Sequence, residues 1–176
     1  MSEIEQTLII LKPDTIQRGL VGEILTRFER AGLKIVAMKM MAPDELKFHG
    51  HYEGIGKLIS RWGDDIYNVT LKHMAESPVI VMVLEGIDVV SYVRKLVGKT
   101  DPMESAAGTI RGDYTHMTKE FSNNPRTRTM PNILHASGDS DEAKQEIELW
   151  FSKDEIYTDY ENVHAKIAHG RDTAVE

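Results

Sequence analysis

Thr7-Leu8-Ile9-Ile10-Leu11 is an unbroken apolar run that stops before Pro13, the pattern of a buried strand. Leu20, Val21, Ile24, Leu25 and Phe28 then recur at helical spacing, and Gly32 ends that helix. Between Leu33 and Met41, Leu33, Ile35 and Ala37 alternate against polar Lys34 and Lys39, which predicts a second strand before Pro43. A helical stretch carrying His and Tyr begins at Asp44, and Gly54 to Asp65 reads as loop and helix pieces. Val79-Ile80-Val81-Met82-Val83-Leu84 is the clearest strand. Asp88 is expected to cap the next helix, whose Val89, Val93, Leu96 and Val97 face inward until Gly98 closes it. After Arg111-Gly112-Asp113 the polar stretch from Thr115 to Pro131 reads as a long loop. A fourth strand ends at Leu134, and Ala143, Ile147, Trp150 and Phe151 mark a last helix.

This order predicts an α+β fold, a βαββαβ core whose four-stranded antiparallel sheet carries its helices on one face. One domain is expected over 1–176, with a core of about 5–151, an inserted loop of about 115–131 and a polar C-terminal extension, 152–176, that frays at its end.

Composition removes several classes of function. The chain has no cysteine, which excludes disulfides, thiolate metal sites and cysteine nucleophiles. No apolar run approaches the roughly 20 residues of a membrane span. Met1 to Glu5 lacks a basic start followed by an apolar stretch, so no secretion signal is read and a cytoplasmic location is expected. A net charge of −7 argues against nucleic acid as the partner, leaving only Arg126 and Arg128 in its favour. Anionic phosphates remain possible partners if a few cations converge.

The chemistry concentrates around His135 in Asn132-Ile133-Leu134-His135-Ala136-Ser137. An imidazole at a strand end, beside a hydroxyl and ahead of a helix bearing Glu146, suits a nucleophile or a general base. Glu146 falls beside the apolar stripe of its helix, where a half-buried carboxylate fixes an imidazole's tautomer. Lys12 leaves the first strand, Arg94 lies on the rim of the helix after Asp88, Thr100 follows Gly98-Lys99, and Arg111 sits between glycines. Arginine forks and a lysine point charge suit phosphate oxygens. The chain contains no Gly-x-x-x-x-Gly-Lys-Ser/Thr loop, no Gly-x-Gly-x-x-Gly and no protein-kinase signature set, so no glycine-rich cradle holds those phosphates. His49, His51, His73, His116, His164 and His169 form no named metal site and are expected to be solvated polar residues.

Taken together, the segments Thr7 to Asp14, Gln17 to Ile24, Arg94 to Thr100, Gly108 to Asp113, Asn132 to Ser137 and Glu148 to Phe151 resemble nucleoside diphosphate kinase, in the family's order, from about Glu5 to Phe151. The resemblance implies a ferredoxin-like sheet and a ping-pong transfer of the γ-phosphate of a nucleoside triphosphate through a phosphohistidine on His135. It implies that Lys12 meets the transferring phosphoryl with Tyr52 in support. Arg94, Thr100 and Arg111 would hold phosphates, Asn132 the sugar, and Glu146 and Ser137 the histidine. Mg²⁺ would arrive on the nucleotide phosphates, with no metal site of protein ligands alone. A homo-oligomer, hexamer or tetramer, is implied as well, and no membrane partner.

Three features depart from the pattern. The stretch from Tyr52 to Met74 is longer, and either Tyr67 or Ile66 stands where an aromatic ring stacks on the base. The segment from Arg111 to Asn132 is longer by about one loop, and Gly138 interrupts the run after Ser137. A different class of function, an oligomeric nucleotide-binding or partner-binding module with weakened chemistry, is consistent with the altered base region.

Overall fold

The computed structural model describes residues 3–42, 44–118, 120 and 131–163. Arg126, Arg128, His164, His169, most of the inserted loop and the end of the C-terminal extension lie outside the described residues.

Four strands form one antiparallel sheet in the order β2-β3-β1-β4. They are β1 (Ile4–Leu11), β2 (Lys34–Met41), β3 (Val79–Ile87) and β4 (Leu134–Ala136). The first connection carries α1 (Pro13–Gln17) and α2 (Val21–Arg30); the second carries α3 (Glu45–His49), a π-helical turn (Gly50–Ile55), α4 (Leu58–Trp62) and α5 (Asp64–Met74). Between β3 and β4 come α6 (Val89–Val97) and α7 (Ile110–Tyr114), and α8 (Ser140–Trp150) follows β4. This is the expected βαββαβ order and the ferredoxin-like α+β fold. No helix among the described residues is long and apolar enough to cross a membrane.

Helices cover both faces of the sheet, not one. Successive side chains of a strand point to opposite faces, and both sets are apolar here. Ile9 and Leu11 of β1 and Met82 and Leu84 of β3 pack with Ile24, Phe28, Val93 and Val97. Leu8, Ile10, Val81 and Val83 pack with Phe48, Met74, Ile147 and Trp150 on the other side. The continuous apolar runs of β1 and β3 are the sequence mark of this double burial.

Two local expectations are corrected. Asp88 occupies the N-cap position of α6 but its side chain makes no capping bond; it accepts the Glu3 N–H at 3.2 Å, while Glu5 takes the Val90 N–H at 3.4 Å. The alternation in β2 is broken by a bulge between Ile35 and Ala37. Lys34, expected on a polar face, is buried. Its ammonium donates to Glu85 Oε1 at 3.1 Å and to the Thr158 carbonyl at 2.7 Å, and it lies 4.7 Å from the Tyr160 ring centre. The segment after α8 runs along this edge: Tyr157 N donates to the Val36 carbonyl at 2.7 Å and Lys39 pairs with Glu155 at 2.6 Å.

Phe28 is wholly enclosed between α2 and the sheet. Phe28→Ala is expected to lower stability by about 3–5 kcal/mol, the cost of an unfilled aromatic cavity, read as a shift in the urea midpoint at unchanged slope.

Candidate active site

β4 is only three residues long, and its register sets Ile9 opposite Ala136, Ile10 opposite His135 and Leu11 opposite Leu134. The strand therefore begins at Leu134, where the sequence reading ended it, and His135 is its middle residue. The reason lies one residue earlier. Ile133 has φ 73°, a left-handed conformation strained for a β-branched residue by about 1–3 kcal/mol. The corner after β1 holds it there. Asp14 Oδ2 accepts the Ile133 N–H at 3.0 Å, Lys12 N donates to the Ile133 carbonyl at 2.9 Å, and the Thr15 hydroxyl donates to the same oxygen. Burial raises the pKa of the Asp14 carboxyl. The hydrogen bond from His73, the charges of Lys12 and His73 and the Ile133 N–H outweigh that and hold it below its ordinary value.

Arg111 fixes the residues on either side. Thr109 caps α7 by accepting the Gly112 N–H at 3.1 Å, and a methyl group on Gly112 would run into the Ala106 carbonyl. So placed, Arg111 donates from Nε to the Asn132 carbonyl at 3.1 Å, from Nη2 to that of Leu134 at 2.7 Å and from Nη1 to that of Gly98 at 3.1 Å. Burial and neighbouring Arg94 lower its pKa to about 10.

Behind His135 stands a buried carboxylate. Asp139 starts α8 by accepting the Asp141 and Glu142 N–H groups, and the helix carries Glu146 under the β4 strand. Glu146 Oε2 accepts the Ser137 hydroxyl at 2.6 Å, and Ser137 Oγ accepts the Leu8 N–H at 3.1 Å. Glu146 Oε1 lies 2.8 Å from His135 Nε2, within reach but off the axis of a hydrogen bond; contacts of this kind commonly tighten when substrate binds. Nδ1, the ring's other nitrogen, has no hydrogen bond to the described residues.

His51 and His73 are buried, contrary to the expectation of solvated histidines. The His51 ring meets that of His135 edge-on at 4.4 Å, and its Nδ1 lies 3.6 Å from Glu146 Oε1 while accepting the Trp150 indole N–H at 3.3 Å. Burial, then the charges of His135 and Lys12, push the His51 pKa well below its ordinary value, so the ring is neutral. His73 Nε2 lies 3.4 Å from Asp14 Oδ1. The adjacency of His51 to Tyr52 was the available signal; nothing in the spacing foretold its burial against Glu146.

A cleft of about 440 Å³ opens over this frame, and its wall includes Lys12, Tyr52, Arg94, Thr100, Arg111, Asn132, His135 and Glu146. Among the expected site residues Ser137 alone is absent from the wall, lying behind it. Lys12 Nζ donates to Asn132 Oδ1 at 2.6 Å, and Asn132 Nδ2 donates to the Thr100 carbonyl at 3.1 Å. Burial and the Arg111 charge depress the Lys12 pKa to about 8. The Tyr52 hydroxyl is enclosed and has no hydrogen-bond partner among the described residues; burial first, then Glu146 and Asp14, keep it protonated. Ile66 lines the cleft, whereas Tyr67 is absent from its wall and sits 2.6 Å from His49 Nδ1. Arg61, Trp62 and Glu142 also line it and were not foreseen.

His51, His135 and Glu146 each bring a ligand atom within 4.8 Å of the others. These atoms are engaged with one another, with Ser137 and with Trp150, and two imidazoles suit Mg²⁺ poorly because that ion prefers oxygen and keeps its waters. The Glu142 carboxylate also lies on the cleft wall, where its Oε2 accepts the Gly138 N–H at 2.9 Å.

The family model for nucleoside diphosphate kinase matches residues 5–156. A nucleoside diphosphate kinase of Pyrococcus furiosus is 42% identical over 89% of this chain and 89% of its own length. The Borrelia burgdorferi nucleoside-diphosphate kinase, solved as a transition-state mimic with bound vanadate and ADP, superposes with a TM-score of 0.87 at 37% identity, covering 93% of this chain and 96% of that one. A halophilic nucleoside diphosphate kinase from Halobacterium salinarum, in complex with CDP, gives 0.75 at 35% identity over 95% and 98%.

Lys12 is cationic below its depressed pKa and loses its charge as pH rises through about 8. Affinity for tripolyphosphate is expected to fall between pH 7 and pH 9 by more in the parent protein than in Lys12→Gln, read by titration calorimetry.

Proposed function

The chain belongs to the nucleoside diphosphate kinase family, a phosphotransferase that maintains nucleoside triphosphate pools through a catalytic histidine, and we propose that this histidine is His135. The observation that carries the assignment is the approach of its Nε2 to within 2.8 Å of buried Glu146 while the ring lines a cleft with Lys12, Arg94 and Arg111. With Nε2 facing a carboxylate, the proton belongs on that nitrogen and the lone pair is left on Nδ1. Nδ1 attacks the γ-phosphorus of a nucleoside triphosphate. An N–P bond forms, the bond to the β,γ-bridging oxygen breaks, and the nucleoside diphosphate departs. A second nucleoside diphosphate then takes the phosphoryl by the reverse of the same step.

Each neighbour has a part in this reading. Lys12 supplies a point charge to the moving phosphoryl, and phosphate oxygens raise its depressed pKa back, so the ammonium is strongest when substrate is present. Tyr52 offers its enclosed hydroxyl in support. Arg94, Thr100 and the donors of Arg111 not spent on carbonyls hold phosphates, while Asn132 is placed for the sugar by Lys12 and Thr100. Ser137 fixes Glu146, and Glu146 fixes His135. Mg²⁺ bound to the nucleotide phosphates spreads their developing charge.

The same reading takes the chain as one domain with a core of about 5–151, working in the cytoplasm as a homo-oligomer, hexamer or tetramer. Exposed Met38 and Met40 on the edge strand β2 support a contact between copies.

Labelled ATP with Mg²⁺ is expected to leave acid-labile, base-stable phosphate on His135 that discharges onto added GDP or UDP. His135→Ala should abolish both transfer and labelling while nucleotide still binds; turnover by that variant overturns the mechanism. Glu146→Gln should slow phosphoenzyme formation about 10–100-fold, measured by rapid quench, with nucleotide affinity little changed.

A further inference from the structure

Resting on the reading of His135 as the nucleophile, we propose that Trp150 and His51 act together as positioning residues. The indole N–H fixes which nitrogen of His51 carries its proton, and so leaves Glu146 Oε1 to His135. Both side chains are buried, at 1% and 2% exposure, and neither has a part in the transfer described above.

One face of α8 meets the His51 ring with two side chains. Glu146 and Trp150 lie four residues apart on that helix and are therefore neighbours on its surface. His51 comes from the π-helical turn, a wide backbone form that recurs at functional sites. The turn packs tightly on α8, since a methyl group on Gly50 would meet the Leu149 side chain at 3.3 Å. The indole is itself held by the Phe48 ring at 5.9 Å and the Lys47 ammonium at 5.7 Å.

An indole N–H can donate and never accept. His51 Nδ1, which takes that hydrogen at 3.3 Å, therefore presents a lone pair, and the neutral ring keeps its one proton on Nε2. The same Nδ1 stands 3.6 Å from Glu146 Oε1, so two acceptors face each other and no hydrogen bond joins them. Oε1 is left for His135 Nε2, 2.8 Å away. A proton on His51 Nδ1 reverses this. The imidazole then donates to Glu146, shares its charge and weakens the bias that keeps the His135 lone pair on Nδ1. The groups facing His51 are Glu146 from α8, His135 from β4, Lys12 from the corner after β1 and the adjacent Tyr52 ring at 4.8 Å. Of these, Glu146 draws a proton toward Nδ1, and the indole N–H opposes it by occupying the lone pair.

Trp150→Phe removes the donor, as does a benzothiophene analogue of Trp150 in which sulfur replaces the N–H and the shape is kept. Nitrogen NMR of isotopically labelled histidine is expected to show His51 protonated on Nε2 and bare on Nδ1 from pH 8 to pH 6 in the parent protein. In either variant Nδ1 should gain a proton as pH falls through that range. Phosphoenzyme formation on His135, measured by rapid quench, should slow about tenfold at pH 6 and by less at pH 8. In a His51→Phe background the same change at Trp150 should slow it no further. Unmoved His51 nitrogens in both variants, an equal slowing at pH 6 and pH 8, or a full effect of Trp150 without His51 overturns the proposal. If the parent protein labels His135 in that case, only the roles of Trp150 and His51 fall; if the parent itself leaves no phosphate on His135, the functional reading falls with them.

Discussion

The strained backbone at Ile133 is the constraint on which the site depends. Its N–H is taken by Asp14 and its carbonyl by Lys12 and Thr15, so the corner after β1 and the approach to β4 become one unit. Arg111 holds the carbonyls on either side. Lys12, Asn132 and His135 thereby share a single rigid frame, although 120 residues separate the bonded pair Lys12 and Asn132. A positive φ at a β-branched residue persists only where its surroundings over-determine it. Here the bonds that fix it are made by the chemical site's own neighbours.

That frame gathers cations against one another. Burial first, and then the charge of a neighbouring cation, Arg111 for Lys12 and Arg94 for Arg111, depresses the Lys12 and Arg111 pKa values. Backbone carbonyls and Asn132 offset part of the cost with hydrogen bonds to the buried donors. In the proposed function, a polyanionic substrate relieves the rest. Preorganised charge of this kind does its work when negative charge moves through the site, because little reorganisation remains to be done. The carboxylate side is arranged in the same spirit: Glu146 is fixed in the interior by the Ser137 hydroxyl, with His135 Nε2 2.8 Å from its other oxygen.

The sheet supplies the stiffness for both arrangements. With helices on its two faces, β1 is immobilised by packing as well as by its strand neighbours, and β1 carries Leu8, whose N–H holds Ser137, and leads directly to Lys12. The opposite edge, β2, is partly covered by the segment around Tyr157 and left open at Met38 and Met40.

Much of this was legible in the chain. Unbroken apolar runs gave β1 and β3, helical spacing gave α2, α6 and α8, and the family resemblance named the nine residues proposed for the site, because each of these signals is local or lies in a contiguous motif. The positions of His51 and His73 were not legible, since a histidine's burial depends on what packs over it from elsewhere in the chain. Nor was the buried lysine at Lys34, which needed a bulge in β2 and a carbonyl from Thr158. The start of β4 at Leu134 was hidden for the same reason: Ile133 adopts its conformation only because Asp14, Lys12 and Thr15 bind it. Sequence determined the order of elements and the chemical vocabulary of the site. Tertiary structure decided which nitrogen of His135 faces inward and which aromatic residue reaches the cleft, because both are set by contacts between segments far apart in the chain.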